Sequence, residues 1–148
     1  MDKYMKMAIN EARKGIRSGH GGPFGAIIVK DGIIIGKGHN KVVKNQDPTC
    51  HGEMMAIRDA CKKLNTFDLS GSVLYTTGEP CPMCLGAIMW ANIDKVYYGC
   101  NIEDTEDIGF RDKRFYNSDK SSFISELDRK ATLKLYAEYK AIRDKTNY

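Results

Sequence analysis

Residues 73–100 read VLYTTGEPCPMCLGAIMWANIDKVYYGC, and three segments can be told apart within them. Val73 to Thr77 has the β-branched and aromatic content of a strand, Pro82 to Ala91 is apolar and opens on a proline, and Lys95 to Cys100 returns to strand composition. Proline suits a first helical position because its missing N–H would have no partner there. Two strands joined by a helix predict a parallel crossover, since a hairpin can join only antiparallel strands. Where the first strand gives way to the helix stands Pro80-Cys81-Pro82-Met83-Cys84.

Upstream, Asp47-Pro48 predicts the cap and first position of a helix whose residues Ala56, Ile57, Ala60, Cys61 and Leu64 make one buried stripe. His51 and Glu53 then lie near a helix start. Phe24 to Val29 and Ile33 to Ile35 flank Asp31-Gly32, the signal of a tight hairpin between antiparallel strands. Met5, Ala8, Ile9, Ala12 and Ile16 recur at helical spacing until a glycine cluster, Gly19 to Gly22, ends the pattern. Downstream, Glu103 to Lys120 is polar and irregular, Phe123 to Leu127 is a candidate short strand, and Arg129 to Arg143 predicts a terminal helix. The architecture expected is a layered α/β domain, a mixed sheet with helices on both faces, formed by one domain over residues 1–148.

Composition narrows the function classes. The N-terminal segment alternates charged and apolar residues, which argues against a secretory signal or membrane span. Five cysteines cannot all pair within one chain, and a Cys-x-x-Cys in a reducing compartment points to metal or redox chemistry, so a cytoplasmic protein is expected. The net charge of +4 arises wholly in residues 111–148, where the signs interleave as in Arg111-Asp112-Lys113-Arg114. That pattern reads as a solvated face rather than a nucleic-acid patch.

The chemistry is concentrated in His51-Gly52-Glu53 and Cys81-Pro82-Met83-Cys84. Zinc takes a tetrahedron of nitrogen and sulfur ligands, and a catalytic site keeps one position for water, so three protein ligands are needed. Cys81 at a helix cap and Cys84 three residues on can meet one ion, with His51 as the third ligand. The helix N-terminus and the metal would both favour thiolates. A histidine with two thiolates leaves the zinc formally neutral, so a carboxylate base is required beside it. Glu53, two residues from His51, points elsewhere than the ligand and is placed to take a proton from water and return it to a ring nitrogen and a departing amine. His-x-Glu alone is usually accidental, and Pro-Cys-x-x-Cys alone fits a redox pair or half of a structural zinc site; together and in this order they match the zinc deaminase pattern.

On these residues the sequence resembles the cytidine deaminase-like superfamily from about Met7 to Tyr116. The matching blocks include Pro23-Phe24-Gly25-Ala26, Asp47-Pro48-Thr49, His51-Gly52-Glu53, Leu74-Tyr75-Thr76-Thr77 and Glu79-Pro80-Cys81-Pro82-Met83-Cys84. The resemblance implies a five-stranded sheet in three layers, one catalytic Zn2+ per subunit and a dimer. Gly38-His39-Asn40, Trp90 and Gly109-Phe110-Arg111-Asp112 resemble the short bacterial guanine deaminases. That likeness implies that Phe24 stacks on a nucleobase, Asn40 hydrogen-bonds it, Trp90 lines its edge and Asp112 contacts the amine and assists proton transfer. It further implies that Tyr148 caps the pocket, with the C-terminal segment from about residue 117 exchanged between subunits of a homodimer. Gly52, whose backbone amide is free to bind a substrate carbonyl, resembles instead the yeast-type cytosine deaminases. Cytosine to uracil is therefore an alternative to guanine to xanthine. A tRNA adenosine deaminase is a further one, set against Glu103, Asp104, Glu106 and Asp107, four carboxylates that would repel a phosphate backbone.

Overall fold

Asp2 caps the first helix, its Oδ1 accepting from the backbone N–H groups of Tyr4 and Met5 at 2.8 and 2.9 Å. In the computed structural model, which describes residues 1–148, this helix is α1, Lys3–Arg17. The hairpin follows as β1, Gly25–Lys30, and β2, Ile33–His39, paired antiparallel around Asp31 and Gly32, both at positive φ. β3, Ser72–Gly78, pairs antiparallel with β1, and β4, Lys95–Cys100, pairs parallel with β3 in the register Tyr75 to Tyr97. The connecting helix is α4, Pro82–Trp90, so the predicted crossover is present.

The sheet order is β2-β1-β3-β4, four strands rather than the five expected. Two local causes account for the missing strand. After β4 the chain enters α5, Ile102–Asp107, whose start is fixed by a capping box between Asn101 and Asp104, so it turns helical instead of returning to the sheet. Phe123 to Leu127 forms turn and irregular backbone, with no strand beside it to accept its backbone hydrogen bonds.

Alternation along β1 sends its side chains into two cores. Ala26 and Ile28 join Leu74, Ile88 and residues of α3, Gly52–Leu64, on one face, while Ile27 and Val29 pack with Ala8 of α1 on the other. Ile28 and Leu74 are wholly buried, each contributing roughly 1.5–3 kcal/mol in transfer free energy. This gives the predicted three α/β/α layers. In α3 the expected stripe holds for Ala56 and Ala60, which are fully buried, whereas Leu64 is exposed at the helix end.

α3 starts later than Asp47-Pro48 suggests. Asp47 Oδ1 is occupied by the N–H and hydroxyl of Thr49, at 2.8 and 2.7 Å, closing a local turn, and His51 becomes the N-cap. A short helix that the sequence did not signal, α2, Val42–Asn45, precedes that turn. α6 spans Asp112–Asn117 and α7 spans Arg129–Ala141. The chain divides into two compact units, Met1–Tyr116 and Asn117–Tyr148. The second consists of a turn-rich stretch and α7, whose residues are all exposed. No helix is long and apolar enough to cross a membrane.

Candidate metal centre and active site

Two helix starts define the site. His51 is the N-cap of α3 with extended backbone, and Cys81 is the N-cap of α4 with nearly the same angles. Neither side chain makes a capping hydrogen bond, and both reach the same cluster at the two N-termini. Cys84, in the first turn of α4, joins them from the same side. His51 Nδ1 and Cys81 Sγ are 3.6 Å apart, and the ligand atoms of His51, Cys81 and Cys84 all lie within 4.8 Å of one another. Two sulfurs and one imidazole nitrogen at that separation, with both cysteines buried, fit a tetrahedral zinc site with one position left for water.

The electrostatics suit the same role. A hydrogen bond from Cys84 and another from His51 hold the Cys81 thiol at about 4, against burial, so it is a ready thiolate. Cys84, the donor in that pair, is pushed up by the same bond and by burial. The bond to Cys81 raises the His51 imidazole, against burial. A metal ion would replace these mutual protons with a shared positive charge.

Glu53 is 5% exposed and accepts a hydrogen bond at Oε1 from the Thr76 hydroxyl at 3.0 Å. Burial pushes its carboxyl up, against bonds that favour the anion, which suits a group that must hold a proton and then release it. His51 in extended conformation and Glu53 inside the helix straddle the helix start, as their spacing of two required. Burial also raises Asp112, and the negative Cys81 adds to the rise while His51 opposes it, so Asp112 lies within the field of those two residues.

Phe24 precedes β1 and Asn40 follows β2, with the Phe24 backbone packed against Gly52 at the start of α3. The Asn40 N–H donates to the Phe24 carbonyl at 2.8 Å, and Thr77 ties down the flanking residues by accepting from Gly25 N–H and donating to the Pro23 carbonyl. The Phe24 ring meets Phe110 edge to face at 4.9 Å. Gly22 makes room for both rings, since a Cβ there would lie 2.6 Å from Phe110 and 2.8 Å from Phe24. A Cβ on Gly52 would lie 2.9 Å from the Phe24 carbonyl oxygen. The glycine thus seats α3 against the Phe24 backbone.

Trp90 stands at the other end of α4, nine residues after Cys81 and so about 13 Å along the axis, with its indole 67% exposed. Tyr148 belongs to the second unit and is exposed. Four residues not singled out from the sequence support the centre. Thr76 orients Glu53, Thr77 fixes the Phe24 segment, and Phe110 packs on Phe24. Glu79 Oε2 accepts from Ile102 N–H at 2.8 Å, anchoring the start of α5 to the loop before Cys81. The alternation of β3, which buries Leu74 and Thr76 on one face, was the available signal for Thr76. The signal for Phe110 was Gly109, whose positive φ turns the chain there.

Comparison with known proteins agrees with this geometry. Residues 1–100 match the family model for the cytidine and deoxycytidylate deaminase zinc-binding region. The chain is 49% identical over 115 residues to guanine deaminase of Bacillus subtilis (strain 168), covering 78% of this chain and 74% of that protein. It is 48% identical over 95 residues to the tRNA-specific adenosine deaminase of Aquifex aeolicus, spanning 64% of this chain and 62% of that one. Among solved structures, guanine deaminase from Bacillus subtilis superposes with a TM-score of 0.92 at 39% identity, over 100% of this chain and 99% of the other. Guanine deaminase from Nitrosomonas europaea gives 0.70 at 28% identity, over 89% and 70%. With its helix-start cysteines, its histidine and its buried glutamate, the chain belongs to the cytidine and deoxycytidylate deaminase zinc-binding family.

Proposed function

We propose that this chain hydrolyses guanine to xanthine and ammonia, with zinc held by His51, Cys81 and Cys84. The observation that carries the substrate is the reach of the structural likeness. Structural likeness to the Bacillus guanine deaminase extends over the whole chain, C-terminal unit included, while that to a tRNA:A34 deaminase covers 66% of it. The exposed carboxylates Glu103, Asp104, Glu106 and Asp107 on α5 also disfavour a phosphate backbone. Gly52 gives no preference for a pyrimidine, because its missing methyl faces the Phe24 backbone.

Zinc bound by His51, Cys81 and Cys84 would supply an acidified water and polarise the reacting centre. Glu53, oriented by Thr76, takes a proton from the attacking water and delivers it to the ring nitrogen next to the amine-bearing carbon. As the carbon to nitrogen bond breaks, the second water proton leaves with the amine, so guanine and water become xanthine and ammonia. Asp112, at the edge of the ligand field, contacts the amine and assists that transfer. Phe24 stacks on the base and Asn40 hydrogen-bonds it from the end of β2, with the Gly52 amide donating to its carbonyl.

The working form is a homodimer in which residues 117–148 close the partner's pocket and bring Tyr148 over the base, while Trp90 lines its edge. Exposed apolar side chains on both sides of that exchange support it: Leu135, Tyr136 and Tyr139 on α7, and Tyr97 and Tyr98 on the edge strand β4.

Ammonia release from guanine, cytosine, adenine, their nucleosides and a tRNA anticodon stem-loop tests the substrate. Turnover of guanine alone is expected, and turnover of cytosine without guanine would overturn the assignment. The exchange is checked by mixing inactive Glu53→Gln and Tyr148→Ala chains, which should regain activity only if Tyr148 acts on its partner's site.

A further inference from the structure

A second cluster of titratable groups lies apart from the metal centre. Glu11 of α1 and His39 at the end of β2 are both buried, at 8% and 9% exposure, and His39 Nδ1–H donates to Glu11 Oε2 at 3.2 Å. With Nδ1 committed as a donor, His39 Nε2 is the acceptor of the neutral ring. It meets Nδ1 of His20 at 2.8 Å, the ring planes 18° apart. Glu11 is held at its other oxygen by Lys14 at 2.7 Å. The packing is built around the chain: a Cβ on Gly15 would lie 2.7 Å from the His39 ring, so α1 can approach only as glycine.

Each end of this chain is attached to a part of the base site. His39 is followed by Asn40, whose N–H donates to the Phe24 carbonyl and whose Oδ1 accepts from Val42 N–H at 3.0 Å. His20 begins the glycine loop that ends at Phe24. Its N–H donates to the Gly15 carbonyl, and its own carbonyl accepts from Val43 and Lys44. We propose that Glu11, His39 and His20 are positioning residues for the base, a hydrogen-bonded chain that clamps the loop bearing Phe24 against the strand end bearing Asn40 and opens when both rings are protonated. The inference rests on the reading of Phe24 and Asn40 as base contacts.

Proton counting gives the switch its direction. With both rings neutral, His20 donates to His39. With one added proton the bond survives, because one ring still offers a lone pair. With two, N–H faces N–H across 2.8 Å and the bond cannot exist. The groups facing the pair are Glu11 and Lys14 from α1 and Lys41 and Lys44 from the α2 side. Glu11 is pushed up by burial but brought below its ordinary range by the hydrogen bonds of Lys14 and His39, so it stays anionic. Burial, Lys44, His39 and Lys41 all push the His20 imidazole down. A histidine lowered in the folded state favours its neutral form. The clamp is therefore complete where both rings are neutral, and because His20 is lowered the second proton, the one that opens it, is taken up only in acid below the ordinary imidazole range.

The test measures kcat and KM for guanine on the zinc-loaded enzyme from about pH 5 to pH 8, with hydrogen exchange of the Asn40, Val43 and Lys44 amides. His20→Phe is expected to raise KM about tenfold at neutral pH, the scale of one lost hydrogen bond, with kcat within about twofold. It should also speed exchange at those amides and remove the acid rise in KM. His39→Gln, which can still donate to Glu11 and accept from His20, should keep KM near the parent value while abolishing its pH dependence. If His20→Phe leaves amide exchange unchanged, or leaves KM and its pH dependence unchanged while Asn40→Ala raises KM, the clamp is overturned. If instead Asn40→Ala and Phe24→Ala leave KM unaltered, the reading of those two as base contacts falls, and the exchange data still decide the clamp.

Discussion

At the start of α3, His51 is the N-cap with φ −68° and ψ 160°, and at the start of α4, Cys81 holds the same place with φ −66° and ψ 167°. The two helix starts have almost the same backbone and aim their N-terminal partial charges at the same ligand cluster. Their chemistry differs because the residues after the cap differ. In α4 the next functional group is Cys84, in the helix's first turn, and it returns to the side of Cys81 as a second ligand. In α3 it is Glu53, two residues on, which accepts from Thr76 of β3 and hydrogen-bonds the Cys84 side chain, so it faces the cluster from beside it. On the proposed roles, one start delivers two metal ligands, the other one ligand and a base. Offset along the first turn, more than backbone geometry, divides the labour.

That division can be disrupted at either helix. Cys84→Ala removes one of α4's two ligands, and the largest loss is expected there: zinc content by metal analysis falls to near zero and turnover disappears with it. If Cys84→Ala keeps its zinc and its activity, α4 does not supply two ligands. Glu53→Gln leaves the ligands of both helices intact, so zinc stays at one per chain while kcat falls about 10²–10⁴-fold, the range for a lost general acid–base group. Loss of zinc in that variant would make Glu53 a ligand instead of a base.

Smaller effects are expected from two further changes on the α3 side. Thr76→Val keeps shape and removes the hydroxyl donor to Glu53, and kcat should fall about 10- to 150-fold, as for a hydrogen bond to a charged group worth roughly 1.5–3 kcal/mol. An unchanged kcat would mean that burial alone orients the carboxylate. Gly52→Ala drives a methyl against the Phe24 carbonyl and should cost about 1–3 kcal/mol in stability, read as a lower Tm, with zinc content unchanged. A variant as stable as the parent would show that α3 can shift away from β1 without penalty.

Legibility followed the range of the interactions. The crossover from β3 through α4 to β4 was readable because strand composition, a proline at the first helical position and the return to strand composition are all local signals. β4 matched at both ends, Lys95 and Cys100. The start of α3 was misplaced because Asp47 is a good cap in isolation, yet its carboxylate closes on Thr49 and the helix waits for His51. Phe123 to Leu127 has strand-like residues, but a strand exists only when another supplies its hydrogen bonds, and none does.

The order of amino acids alone dictated which chemical groups are available and at what offsets: two thiols in one helical turn, an imidazole near a helix start, and a carboxylate two residues beyond it. Those spacings lie within a turn or so, where backbone geometry fixes side-chain directions. It took the folded chain to bring His51 and Cys81, thirty residues apart, within 3.6 Å, to give Glu53 to Thr76, and to turn Gly52 toward the Phe24 backbone. Folding also joined Glu11, His39 and His20 from a helix, a strand and a loop into one hydrogen-bonded chain. The physical reason is common to all of these. Such contacts are set by the register of the sheet and the helices packed on it, and no local rule of the chain reaches across that distance.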